Sequence, residues 1–277
     1  MAKDFAQDTD NTTPPQLSVS RRQALGTLGA LSLVGLWGCN GTSEDGSTST
    51  TASSTGGSST SSGTSSGSGS SSSTSCVLTA TEVDGPYPLY AILTNSSMVR
   101  DDIREDRTGV PLELTIKLED FNNGCAAISD AAVYIWHCDK DGSYSGYSSA
   151  QNGNYSGKTW LRGIQVSDDG GEVTFLTIYP GWYTGRITHI HVQIYLNENL
   201  KVTATATTQL AFPQDVTKAV YNSTLYKSHG QNTSVTSFPQ DNIFSDGTST
   251  EMLTLSGNTT DGYTGNITLR VAVPSGS

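Results

Sequence analysis

The residues most able to do chemistry lie in "YPGWYTGRITHIHVQIY", which holds His189 and His191, two of the four histidines in the chain. On a β-strand, residues two apart share a face, so both imidazoles project together at a backbone spacing of about 7 Å while Ile190 points to the opposite side. An H-x-H pair alone fits a surface strand or a core strand as readily as a metal site. Its company is more telling. Tyr183 precedes His189 by six positions, just past a Pro-Gly turn, and a second tyrosine cluster, "DGSYSGY", follows an earlier apolar segment. Imidazole plus phenolate oxygen is a hard-to-borderline donor set that suits trivalent iron better than zinc or copper. No Cys-x-x-Cys or H-E-x-x-H pattern competes with it. There is also no G-x-S-x-G elbow or phosphate-binding glycine loop, so serine-hydrolase and nucleotide chemistry have no foothold.

Strands must carry these groups. "PLELTIKLED" alternates Leu112, Leu114, Ile116 and Leu118 on one face, and the segments "AAVYIWHCD", "LRGIQV", "GEVTFLTIYP", "RITHIHVQIYL", "KVTATATTQLAF", "EMLTLSG" and "GNITLRVAV" follow. Turn signals such as Asp141-Gly142 and Asp169-Gly170-Gly171 separate them, and no segment sustains a helical period. The expected fold is all-β: an antiparallel β-sandwich with long loops and few short helical turns, one of them in "PQDVTKAVYNS".

The chain has 277 residues, with 15 Lys and Arg against 26 Asp and Glu, a formal charge of −11 that excludes nucleic acid as a natural partner. Arg21 and Arg22 precede an uncharged apolar run at 24–38, too short to span a bilayer and suited to a signal peptide of the twin-arginine export type. "LWGC" resembles a lipobox, which would make Cys39 a lipidated N-terminus and membrane tether; an ordinary cleaved signal is the alternative. Residues 40–75 form a Ser/Thr/Gly linker unable to bury apolar surface. The division is thus a signal at 1–39, a linker at 40–75 and a folded domain at 76–277, exported to the cell envelope or secreted. Beyond Cys39 lie Cys76, Cys125 and Cys138, consistent with one disulfide and one free thiol. A hairpin of 112–120 with 131–138 would put Cys125 near its turn and Cys138 at the far end, which disfavours joining those two.

The blocks "CVLTATEVDGPYPL", "IWHCDKDGSYSGY" and "WLRGIQVSDDGGEVTFLTIYPGWYTGRITHIH" resemble the intradiol ring-cleavage dioxygenases, whose members include protocatechuate 3,4-dioxygenase and catechol 1,2-dioxygenase. The likeness is strongest to the exported, single-domain branch and runs from residue 76 to about 246. It implies a β-sandwich holding one non-haem Fe(III) ion per chain between two tyrosinates and two histidines. By this resemblance Tyr144 and Tyr183 match the equatorial and axial tyrosinates, with Tyr147 and Tyr155 as rivals for the first role, and His189 and His191 match the histidine ligands. Arg186 matches an active-site arginine, and Gln209 a glutamine beside the iron. Pro86 and Tyr87 match a substrate-lining segment, in which Val83 and Asp84 replace the usual Thr and Glu. His137 and His229 are read as structural and loop residues.

The implied reaction inserts both atoms of O2 into a catechol-type aromatic and cleaves between the hydroxyl-bearing carbons to a cis,cis-muconate-type diacid. Fe(III), two phenolates and a hydroxide sum to zero charge, and a catechol dianion replacing Tyr183 and the hydroxide preserves that sum. Arg186 would stabilise developing negative charge, and Tyr183 would leave the metal when substrate binds. The alternative is an extracytoplasmic iron- or catecholate-binding protein with little turnover; a carbohydrate-binding β-domain is a third reading.

Overall fold

The alternation in "PLELTIKLED" produces a strand, β1 (Pro111–Asp120), in which Leu112, Leu114, Ile116 and Leu118 are all buried. The structure, a computed structural model, describes residues 76–275. The expected signal segment with its lipidation site Cys39, and the linker at 40–75, lie outside the described residues.

After β1 come β2 (Ala126–Ala127), β3 (Ala132–Trp136), β4 (Ser148–Ser149), β5 (Gly153–Asn154) and β6 (Arg162–Val166). These are followed by β7 (Glu172–Ile178), β8 (His189–Tyr195), β9 (Ala206–Ala211), a short helix α1 (Gln214–Tyr221), β10 (Thr254–Asn258) and β11 (Gly262–Val271). The helix falls within "PQDVTKAVYNS", as expected. One sheet places β1 between β11 on one side and β7 with β2 on the other, and β10 lies outside β11. The second sheet runs β6-β3-β8-β9, and β4 with β5 forms a small separate ribbon. Apolar side chains of β1, β7 and β11 meet Val133, Ile135, Ile190, Val192, Ile194 and Leu210 of the second sheet in one core. Full burial of each such side chain is worth about 1.5–3 kcal/mol, and this layer holds the sandwich together.

The all-β sandwich is as expected, with two refinements. The β1–β11 pair is parallel, so the first sheet is mixed. Residues 112–120 and 131–138 do not form a hairpin, because β1 and β3 belong to opposite sheets. Period-2 alternation states which face is apolar but not which strand lies alongside. The disulfide joins Cys76 to Cys125 with Cα atoms 6.0 Å apart, and Cys138 is a buried free thiol. It ties the start of the domain to the turn after β1.

β8 is buried along its whole length. Ile190, Val192 and Ile194 face the inter-sheet core. On the outer face of this sheet Tyr134, Trp136 and Tyr195 cluster with Ile92, Leu93 and Met98 of the segment that precedes β1. The outer face of β8, which carries His189 and His191, is therefore roofed by chain.

Candidate metal centre

His189 and His191 lie on β8 at 2% and 0% exposure, which meets the same-face requirement of their spacing and takes both out of water. His189 Nδ1 donates to the Ile187 carbonyl at 2.6 Å, leaving Nε2 as an unprotonated donor aimed at its neighbour. The two Nε2 atoms are 3.1 Å apart. Two inward lone pairs at that separation repel unless a proton or a cation lies between them. Burial pushes the His189 pKa down to about 3, assisted by the nearby Arg186 charge. Burial likewise holds His191 well below the usual imidazole range. His191 stacks flat on Trp136 with ring centroids 4.7 Å apart. On the opposite chain segment Gly85, at φ +74°, comes so close that a Cβ there would sit 2.8 Å from His191 Cε1.

The tyrosines arrive on two loops. Tyr144 follows β3, and its backbone N–H and carbonyl are both bound by the Asn152 side chain, at 2.6 and 2.8 Å. Tyr183 follows β7 past Pro180-Gly181. The loops pack backbone to backbone: a Cβ at Gly142 would collide with the Trp182 carbonyl. Tyr144 Oη reaches 3.4 Å from His189 Nε2 and 3.2 Å from His191 Nε2, and Tyr183 Oη lies 3.4 Å from His189 Nε2. Tyr147 instead donates to the Pro88 carbonyl, and Tyr155 packs edge-on against Trp160, so neither joins the cluster. Burial raises the Tyr144 pKa far above an ordinary phenol, and it pushes Tyr183 up to about 12 despite the opposing pull of Arg186.

Contacts of 3.1–3.4 Å thus link two imidazole nitrogens and two phenol oxygens in one cluster: Tyr144 touches both histidines, the histidines touch each other, and Tyr183 joins through His189. The set fits a trivalent iron ion: the nitrogens are neutral and ready to coordinate, and a high charge would lower the raised phenol pKa values by stabilising phenolate. Among the described residues no group of three His, Cys, Asp or Glu could hold a metal, so the two tyrosines are essential to the set.

Arg186 is buried beside it. Its Nη1 is 3.5 Å from His189 Nε2, its Nη2 donates to Gln209 Oε1 at 2.7 Å, and its Nε donates to Asp241 Oδ2 at 3.0 Å. Gln209 is fully buried, and its amide donates to the Val83 carbonyl at 2.9 Å, so it stands behind Arg186. Tyr87 stacks on Tyr144 with centroids 4.5 Å apart and meets Tyr183 edge-on. A cleft of about 370 Å³ opens from the tyrosines and is lined by Tyr87, Gln151, Asn152, Trp182, Tyr183 and His229, among others. Pro86 is exposed and is not among the residues lining it.

His137 is structural, as read: buried, with Nδ1 donating to the Cys138 carbonyl at 2.8 Å and Nε2 accepting from Thr177 at 2.7 Å. His229 is a loop residue, as read, and it has a further role. It reaches the cleft wall, donates to the Trp182 carbonyl at 2.8 Å and packs on the Trp182 ring. Sequence reasoning also missed Asp241, Gly85 and Trp136. None of these carried a spacing signal: even Trp136 owes its place opposite His191 to strand pairing.

No protein-family model and no curated protein matches the chain. Among solved structures, it is similar to an intradiol ring-cleavage dioxygenase from Tetranychus urticae at 28% identity and a TM-score of 0.62, covering 71% of this chain and 95% of that one. A second crystal structure, of a dioxygenase, matches at 29% identity and a TM-score of 0.62 over 72% of this chain and 95% of its own.

Proposed function

Because this chain belongs to the intradiol ring-cleavage dioxygenases, we propose that it takes a catechol-type aromatic and O2 and opens the ring between the two hydroxyl-bearing carbons to a cis,cis-muconate-type diacid. The observation that carries this reading is the convergence of Tyr144, Tyr183, His189 and His191 at 3.1–3.4 Å in a buried pocket beside an arginine. These four would hold one non-haem Fe(III) ion. When bound, the ion supplies a Lewis acid that favours the catecholate and shifts electron density from it so that the ring reacts with O2.

The protein's own groups do the rest. Tyr183 borders the cleft, so it is the donor placed to be displaced by an arriving substrate. Away from a metal, burial holds the Tyr183 phenol protonated with a pKa near 12, so this Oη would be suited to take up a proton from a catechol hydroxyl. Tyr87 offers an aromatic wall at the mouth. Arg186 Nη1 presents positive charge at the inner end, where negative charge grows on the substrate oxygens. Ring opening consumes both oxygen atoms of O2 in the two carboxyl groups, so catechol plus O2 equals the diacid with no other reductant. The Cys76–Cys125 disulfide supports an oxidising compartment and hence export.

The test loads purified protein with iron and records its visible spectrum, then O2 uptake and muconate absorbance with catechol. A red-brown tyrosinate-to-iron band with stoichiometric uptake is expected. Catechol binding without uptake would overturn the enzymatic reading in favour of a catecholate-binding protein.

A further inference from the structure

The loop after the core helix contains a buried carboxylate that holds the cation beside the metal centre. Asp241 has 0% exposure and follows a short 3-10 turn, Phe238–Gln240. Its Oδ2 accepts from Arg186 Nε at 3.0 Å and from the Ile187 backbone at 2.7 Å. Its Oδ1 accepts from the Ile243 and Phe244 backbones at 2.9 and 3.2 Å. The carboxylate is therefore fixed from three sides before it meets the guanidinium. Phe244 packs beneath the guanidinium, with its ring centroid 5.9 Å from Arg186 Cζ. Gln209 takes Nη2, which leaves Nη1 turned to His189 Nε2.

We propose that Asp241 is a positioning residue for ring cleavage: it clamps the Nε edge of Arg186 so that Nη1 alone is presented to the metal centre, and it balances the cation's charge. A guanidinium in this site has several hydrogen-bonding edges and a long flexible stem. Without the clamp it can rotate or withdraw towards solvent, and misplacement by about 1 Å costs on the order of 100-fold in rate. The balance also matters for occupancy. Arg186 and Asp241 form an ion pair, so together they would add no net charge to a site holding a trivalent ion.

This inference rests on the proposed reaction, and its test separates the two. Asp241→Asn, Arg186→Met and the double variant are compared with the unchanged protein, each normalised to bound iron. Asp241→Asn is expected to lower kcat for catechol about 10- to 100-fold with KM little changed, the pattern of an interaction made in the transition state. In the Arg186→Met background the same change should add less than about 2-fold, because the residue it acts through is gone. An equal loss in both backgrounds, or no loss in the first, overturns the proposal. Asp241→Glu keeps the charge but moves it by one methylene, so it covers the case in which Asn does not fold; unchanged kcat there is equally fatal. A second readout needs no iron and no turnover: in the metal-free protein, hydrogen exchange at Arg186 Nε should rise at least about 10-fold in Asp241→Asn. Unaltered exchange refutes the clamp, whereas an unchanged protein that fails to consume O2 refutes only the proposed reaction.

Discussion

Changing Gly85 to Ala should cost the metal centre far more than it costs the fold. The added Cβ would sit 2.8 Å from His191 Cε1, about 0.6 Å inside ordinary contact at 3.4 Å. His191 has little room to yield, because its ring lies flat on Trp136 at 4.7 Å. Two effects combine. Alanine at φ +74° is strained by roughly 1–2 kcal/mol, partly offset by about 0.4–1 kcal/mol of lost freedom in the unfolded chain. Displacing one imidazole from its donor position should weaken metal affinity about 10- to 100-fold, as changes in ligand orientation do. Gly157 supplies the control, since its φ is +73° and nothing lies within 4 Å of the place a Cβ would take there. Both variants should lose a few degrees of Tm, at about 2–4 °C per kcal/mol for a domain of this size. Only Gly85→Ala should lose iron affinity, measured by competition with a chelator followed at the charge-transfer band. Equal iron affinity in the two variants would refute the reasoning.

Tyr144→Phe and Tyr183→Phe should each remove part of the tyrosinate-to-iron absorbance, while Tyr147→Phe, whose hydroxyl bonds to Pro88, leaves it unchanged in the visible spectrum. His137 is neutral in the fold, its pKa pushed from 6.5 down to about 4 by burial. The unfolded chain takes up that proton first, so stability is intact above pH 6.5 and is lost as pH falls towards 4, by about 3 kcal/mol at most. Urea titrations of His137→Gln and the unchanged protein should therefore show a flatter acid limb in the variant. Reducing the Cys76–Cys125 disulfide, whose cysteines are 49 residues apart, should lower stability by about 4 kcal/mol on the chain-entropy estimate, read as a fall in Tm with reductant.

Residue order alone already determines much of this protein. Alternation marks β1 and β8 as strands, and the same period places His189 and His191 on one face, because neighbouring side chains of a strand must point in opposite directions. The tyrosine blocks and their order resemble a known family closely enough to single out Tyr144 over Tyr147 and Tyr155, and the structure brings that tyrosine to the histidines. What alternation cannot encode is partnership across the chain. β1 chose β11 in parallel, and 131–138 went to the opposite sheet. Gly85 meets His191, Asp241 holds Arg186 from 55 positions away, and His229 reaches the cleft by packing on Trp182. No spacing rule links these residues, since their contacts depend on how two sheets stack and how loops close over an outer face. Sequence thus specified the donors and the face they share; tertiary packing decided what surrounds them, because burial, charge balance and steric room exist only once distant segments meet.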